Sequence, residues 1–187
     1  MFRTAISNVA VREFKSGIIS DQELSLILEA ARLTQSAKNI QPWYFIVVKD
    51  RKTLDSLAEL MTGDIDEDLT KRSPMIVAVI GDPKSQFWLF DLGRVVQSMT
   101  LVAWEMGIGS CVISGPEPPD RENYRTKAGK ILGVPENLRM QELIVFAYPR
   151  NKLPYRPRKI RKEMSDILFQ EKFGNPADKS LLAPVRK

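Results

Sequence analysis

A polar loop pinned between two apolar elements constrains this chain more than any other segment. Behind it, Leu24, Ile27, Leu28 and Ala31 recur at helical spacing, and Ser20 with Glu23 three residues on has the capping-box pattern. A helix is therefore predicted over 21–34. Ahead of it, Tyr44-Phe45-Ile46-Val47-Val48 reads as a buried strand. The intervening Ser36-Ala37-Lys38-Asn39-Ile40-Gln41-Pro42-Trp43 offers a hydroxyl, an amine and two carboxamides. Carboxamides donate and accept hydrogen bonds, which suits a planar heterocycle whose edge alternates donors and acceptors. In an ordinary connection the same groups would satisfy local backbone while Trp43 filled the core.

The remaining apolar segments extend this alternation. Leu54, Leu57, Ala58 and Met61 mark a second, weaker helix. The stretch 62–73 is polar and acidic without a firm period and reads as a short helix or a loop. Met75 to Ile80 is a fully apolar strand. A long helix is predicted over 88–106, with Leu92, Val95, Val96, Met99, Val102, Ala103 and Met106 inward as the central core element. Strands are expected near 110–113 and 142–148, with a helix around 120–132 between them. Pro154 and Pro157 make 149–160 an extended connection, followed by a short helix at 163–170. There is no internal repeat or interdomain linker. The pattern predicts one domain over 1–175, a sheet covered by helices on both faces, and a loosely ordered tail over 176–187.

Composition narrows the chemistry. The chain has no histidine, which removes Ser-His-Asp and Cys-His catalysis, histidine-ligated metals and imidazole proton transfer. Its single cysteine, Cys111, sits in an apolar strand and reads as a small buried hydrophobe. It cannot form an intrachain disulfide or supply a cysteine-based metal site, so no metal is expected and a reducing cytoplasm is the expected location. Any reaction must run on other side chains, backbone donors or a bound cofactor. No apolar run reaches the ~18 to 20 residues of a membrane span, and the N-terminus lacks a signal peptide's apolar stretch. The net charge of +5 is concentrated, since Arg150, Lys152, Arg156, Arg158, Lys159, Arg161 and Lys162 fall in a segment without acidic residues. Such a run can bind RNA or anionic membrane by counterion release. No RNA-binding fingerprint or set of stacking aromatics accompanies it, so neither nucleic acid nor membrane is an expected partner.

The loop resembles the Pro-Ser-Ala-x-Asn-x-Gln-Pro-Trp element of the nitroreductase family of FMN-dependent oxidoreductases, with Gln35 in place of the first proline. Val11-Arg12-Glu13-Phe14 resembles the family's N-terminal Arg-x-Phe element, and Gly107-Ile108-Gly109-Ser110-Cys111 its Gly-Leu-Gly-Ser-Cys turn. Leu132-Gly133-Val134-Pro135 and then Ile144 to Pro149 resemble the late helix and final core strand. Arg161-Lys162 and Ser165 to Phe169 resemble the basic pair and closing helix. These matches keep their order from about residue 11 to residue 174, and the chain is identified as a member.

That resemblance implies an α+β fold with a central, mainly antiparallel sheet and an intertwined homodimer holding FMN at its interface. NADH or NADPH would be the hydride donor and a nitroaromatic, quinone or similar small molecule the acceptor. Arg12, Arg161 and Lys162 fall where the family places phosphate contacts, and fixed cations are what a phosphate dianion requires. Asn8 and Ala10 stand at two further polar positions of the N-terminal element. Asn8 can hydrogen-bond but brings no charge, and Ala10 does neither. One lost charge-assisted contact weakens binding by about 1.5 to 3 kcal/mol unless Lys38, Arg158 or Lys159 substitutes. Ser36, Lys38, Asn39 and Gln41 would form a second wall supplied by the partner subunit, with Ser36 and Asn39 on the cofactor and Gln41 holding the loop. The backbone of Ser114 and Gly115 would pass beside flavin N5, and no side chain is expected to be catalytic. Specificity is expected from 62–73 and from Phe87, Trp88 and Phe90, at least two of which also read as core or dimer interface.

Three other readings share these residues. One is a specialised flavin enzyme on the same fold, such as a dehydrogenase, a dehalogenase or a flavin-consuming synthase. A second is a flavin-binding regulator without turnover, and a third is a basic nucleic-acid or membrane-surface binder.

Overall fold

Side chains that alternate between the two faces along the strands build one sheet with a separate core on each face. The computed structural model describes residues 2–15, 17–61, 65–116, 119–152, 160–178 and 180–181. The strands are β1 (Trp43–Val48), β2 (Ile76–Gly81), β3 (Gly109–Ile113) and β4 (Arg139–Ala147). They form a four-stranded sheet in the order β1-β2-β4-β3, and every neighbouring pair is antiparallel. In β2 the side chains of Ile76, Ala78 and Ile80 enter one core while Val77 and Val79 enter the other. β2 is buried at every position because both of its faces are covered.

Six helices flank the sheet among the described residues: α1 (Phe2–Ser7), α2 (Asp21–Arg32), α3 (Arg51–Glu59), α4 (Ile65–Arg72), α5 (Trp88–Glu105) and α6 (Asp120–Ile131). α2 and α5 cover one face through Leu24, Ile27, Leu92, Val95 and Met99. α3, α4 and α6 cover the other through Leu54, Leu57, Leu69, Tyr124 and Ala128. The expected α+β architecture is thus observed, and α5 is the long central helix, with Leu92, Val95, Met99 and Ala103 fully buried.

Ser20 caps α2 as its sequence pattern requires. Its hydroxyl accepts the Glu23 N–H at 3.2 Å, and the Glu23 carboxylate accepts the Ser20 N–H at 2.8 Å. The acidic stretch around 65–72 is helical, tied by the i,i+4 ion pairs Lys71–Glu67 at 2.6 Å and Arg72–Asp68 at 2.7 Å. α1, for which the sequence carries no signal, is held by tertiary contacts. The Trp104 indole donates to the Ser7 hydroxyl at 2.8 Å, and Thr4 bonds Glu105.

Contacts divide the chain into two compact units, Met1–Tyr155 and Arg156–Lys187. The helix expected over 163–170 is only a single 3₁₀ turn, Met164–Asp166. Met164 and Ile167 stay exposed, so no buried stripe extends that turn into an α-helix. In the same unit Phe169 bridges to Pro176, and its ring lies 4.5 Å from that of Phe173. Most of the extended connection expected over 149–160, including Arg156, Arg158 and Lys159, falls outside the described residues. No helix among the described residues is long and apolar enough to cross a membrane.

Candidate functional site

The loop ahead of β1 is built from conformations that non-glycine residues avoid. Lys38, Asn39 and Gln41 have φ of 50°, 56° and 53°, all in the left-handed region. Asparagine tolerates that region, whereas lysine and glutamine there cost on the order of 1 to 2 kcal/mol each. Strain of this kind persists only where the surroundings overdetermine it, and here they do. The Ser36 hydroxyl accepts the Gln41 N–H at 2.9 Å, and the Gln41 carboxamide donates to the Asn39 carboxamide at 3.2 Å. The Ser36 and Ala37 carbonyls accept the N–H groups of Asn39 and Ile40, each at 3.1 Å. Lys38, Asn39 and Gln41 are left exposed on the loop surface.

One residue outside every motif anchors this loop to the long helix. Asp91, in the first turn of α5, is fully buried. Its carboxylate accepts the Ala37 N–H at 3.2 Å and pairs with Arg94 at 2.9 Å. The signal was present as a lone acid in an otherwise apolar helix opening, a position where an unpartnered charge would be costly. Of the three aromatic residues at this end of α5, Trp88 packs on the core, whereas Phe87 and Phe90 are exposed on this chain.

The other expected residues gather at the opposite edge of the sheet. The Val11 N–H donates to the Ser110 carbonyl at 2.8 Å, laying the N-terminal segment against the start of β3. Gly109 permits that approach, because a Cβ there would come within 3.0 Å of the Val11 side chain. Farther along, the Lys15 N–H bonds the Tyr148 carbonyl, and Phe14 bridges to Pro149. Arg12 lies exposed on this segment. Asn8, just before it, keeps its side-chain nitrogen buried without a hydrogen-bond partner.

Ser114 and Gly115 leave the far end of β3. Gly115 has φ of +82°, and a Cβ there would run into the Tyr124 ring, so only glycine can make this turn. Ser114 hydrogen-bonds Glu142, a second acid not anticipated from sequence, whose carboxyl is pushed up chiefly by burial. The Arg125 guanidinium lies 3.8 Å from that carboxyl and opposes the shift. From the start of β3 to Ser114 the strand covers about 16 Å at the usual rise.

The chain therefore carries its expected site residues in separate groups. Arg12 lies beside the start of β3 and Ser114 and Gly115 follow its far end, whereas Ser36, Lys38, Asn39 and Gln41 sit ahead of β1 at the other edge. Three interstrand steps separate the edges, about 14 Å. Arg161 and Lys162 belong to the C-terminal unit, where both are exposed.

The chain is an α+β domain on a four-stranded antiparallel sheet, and known proteins share this fold. The profile described as the nitroreductase family matches residues 8–73 and 62–148. A protein of Archaeoglobus fulgidus with the provisional name NADH dehydrogenase/NAD(P)H nitroreductase is 35% identical over 147 residues, covering 76% of this chain and 81% of the relative. A crystal structure from Bacteroides thetaiotaomicron with the same provisional name superposes with a TM-score of 0.79 at 25% identity, over 92% of this chain and 97% of that one. An FMN-dependent nitroreductase of Clostridium difficile shares the fold with a TM-score of 0.79 at 24% identity, over 92% of this chain and all of its own. The chain belongs to the nitroreductase family.

Proposed function

We propose that this nitroreductase-family chain, an FMN-dependent NAD(P)H oxidoreductase, passes reducing equivalents from NADH or NADPH to a nitroaromatic, quinone or similar acceptor. FMN, when bound, supplies the hydride chemistry for which the chain has no histidine and no redox pair of cysteines. The observation that carries the reading is the division of the site between opposite edges of one sheet. A second copy brings its loop at Ser36–Gln41 to the β3 edge of the first and completes the site, so the working unit is a homodimer. The names of the relatives support both the cofactor and the nicotinamide donor.

The residues fit the cofactor. Arg12 supplies a permanent, exposed cation for the phosphate, and the Asn8 nitrogen is a buried donor without a partner on this chain. Arg161 and Lys162 are exposed cations of the C-terminal unit, and it is the family motif that suggests them as phosphate contacts. Gly115 and Ser114 would offer backbone N–H groups to a planar ring, at a turn whose positive φ and packing on Tyr124 exclude a side chain at Gly115 itself. The partner's loop contributes donors from Ser36, Lys38 and Asn39, while Gln41 holds that loop in shape. The single cysteine fits work in the cytoplasm.

The test is the absorption spectrum of the purified protein before and after anaerobic NADH or NADPH. Flavin bands that bleach, and return on adding a nitroaromatic or quinone, are the expected result. Bands that persist with both nicotinamides indicate a flavin-binding regulator, and a colourless protein that takes up no FMN overturns the proposal.

A further inference from the structure

Beside the cofactor loop lies a cavity of about 560 Å³ lined by Gln35, Ser36, Ala37, Phe87, Phe90 and Arg94. Its chemistry is mixed in a specific way. Phe87 and Phe90 are 43% and 70% exposed, offering two aromatic faces. Arg94 is the one cation among these lining residues, and its side chain is 58% exposed although it is ion-paired. The pairing orients it. The fully buried Asp91 carboxylate holds one guanidinium nitrogen at 2.9 Å and the Ala37 N–H at 3.2 Å, tying Arg94 and the loop to one anchor. An arginine carries five donors in a rigid fork, so a single pairing leaves others for a ligand.

We propose that this cavity is the acceptor subsite and that it selects an aromatic acceptor bearing an anionic group, such as a carboxylate, which Arg94 binds while Phe87 and Phe90 pack on the ring. This rests on the flavin-enzyme reading above, whose loop at Ser36–Gln41 forms one wall of the cavity. Two features favour an aromatic acid over the cofactor's own phosphate as the anion. The phosphate end of FMN has no ring for the two phenylalanines, and an aromatic acid matches ring and charge together. Asp91 acts through Arg94 as a positioning residue. It neutralises the inner side of the guanidinium and fixes the direction in which the outer side points.

The experiment compares 4-nitrobenzoate with its uncharged methyl ester as acceptors for the holoenzyme, in wild type, Arg94→Gln and Arg94→Lys. The expected result is a wild-type preference for the carboxylate. In Arg94→Gln the carboxylate-to-ester ratio of kcat/KM falls about 10- to 100-fold, the worth of one charge-assisted hydrogen bond, with partial retention in Arg94→Lys. Calorimetric titration of oxidised holoenzyme with 4-nitrobenzoate gives the same ranking without turnover. A merely structural Arg94 would lower both acceptors together, and that result, or an unchanged ratio, overturns the proposal. The affinities of FMN and riboflavin form a second arm. If Arg94→Gln weakens FMN but not riboflavin, the guanidinium serves the cofactor's phosphate and the acceptor assignment is wrong. A wild-type protein that binds no flavin overturns the function proposed above instead. Calorimetry of 4-nitrobenzoate on the flavin-free chain then still decides whether Arg94 binds the anion.

Discussion

Asp91 shows how much of a site one buried side chain can hold. Its carboxylate bridges two elements far apart in sequence, the loop at Ala37 and the side chain of Arg94. Removing it strands the Ala37 N–H and releases three residues from left-handed backbone that costs energy to maintain. Asp91→Ala is expected to lower stability by about 2 to 3 kcal/mol, read as a shift in the urea midpoint, and to weaken FMN binding alongside it. Asp91→Asn keeps an oxygen for the Ala37 N–H and loses only the charge, so its effect on stability should be the smaller of the two. Equal losses in the two variants would mean that the ion pair, which both remove, and not the backbone bond fixes the loop. From the sequence Asp91 passed as one polar residue in an apolar helix, because nothing local reveals that Ala37 lies beside it.

At the scale of elements, local chemistry and packing agree best where a cap is present. The helix at Asp21–Arg32 starts where the Ser20 and Glu23 pattern places its start, whereas the strand expected to be buried over 44–48 lies at the sheet edge, with Tyr44 exposed and only Trp43 and Val48 buried. Glu23 does more than cap, since its carboxylate also accepts the Tyr148 hydroxyl at 2.8 Å and so fastens the helix to the end of the sheet. Its pKa is held below the usual carboxylate range, first by the Ser20 hydroxyl and then by the Ser20 N–H and Tyr148. Ser20→Ala is expected to cost about 1 kcal/mol in thermal unfolding, the typical worth of a helix cap. If Tyr148→Phe added to Ser20→Ala lowers stability by the sum of the single losses, cap and tether are independent; less than the sum means Glu23 couples them. Elements without a local signal were not legible. The N-terminal helix exists because Trp104 and Glu105 bind its polar side chains. The turn at Met164–Asp166 stays short because it buries no apolar stripe.

For the whole molecule the proposed division of the site between two copies predicts a coupling between flavin, assembly and stability. A single copy holds Arg12 and Gly115 at one sheet edge and the Ser36–Gln41 loop at the other. FMN at one hundred times its dissociation constant should therefore stabilise the assembled protein by about 2.7 kcal/mol per site, with a melting temperature that rises with protein concentration. Light scattering on the yellow protein should give twice the chain mass at concentrations where the flavin-free protein dissociates. A monomer that retains FMN would show that one chain completes the site alone and would remove the main support for the dimer.

By itself the sequence determined the elements that carry a local signal and the faces they bury, since helix and strand periods, caps and glycines act within a few residues of one another. It also determined the type of chemistry available, because a chain with no histidine and one cysteine must borrow its redox group. The family motif located the loop and the arginine. Only the tertiary structure decided that these groups stand at opposite edges of one sheet, that Asp91 is the anchor of the loop, and that Arg94 faces a cavity with two phenylalanines. Those facts depend on which strands pair and which helix packs on which face. Such choices are made by burial across the whole chain, which no short stretch of residues encodes.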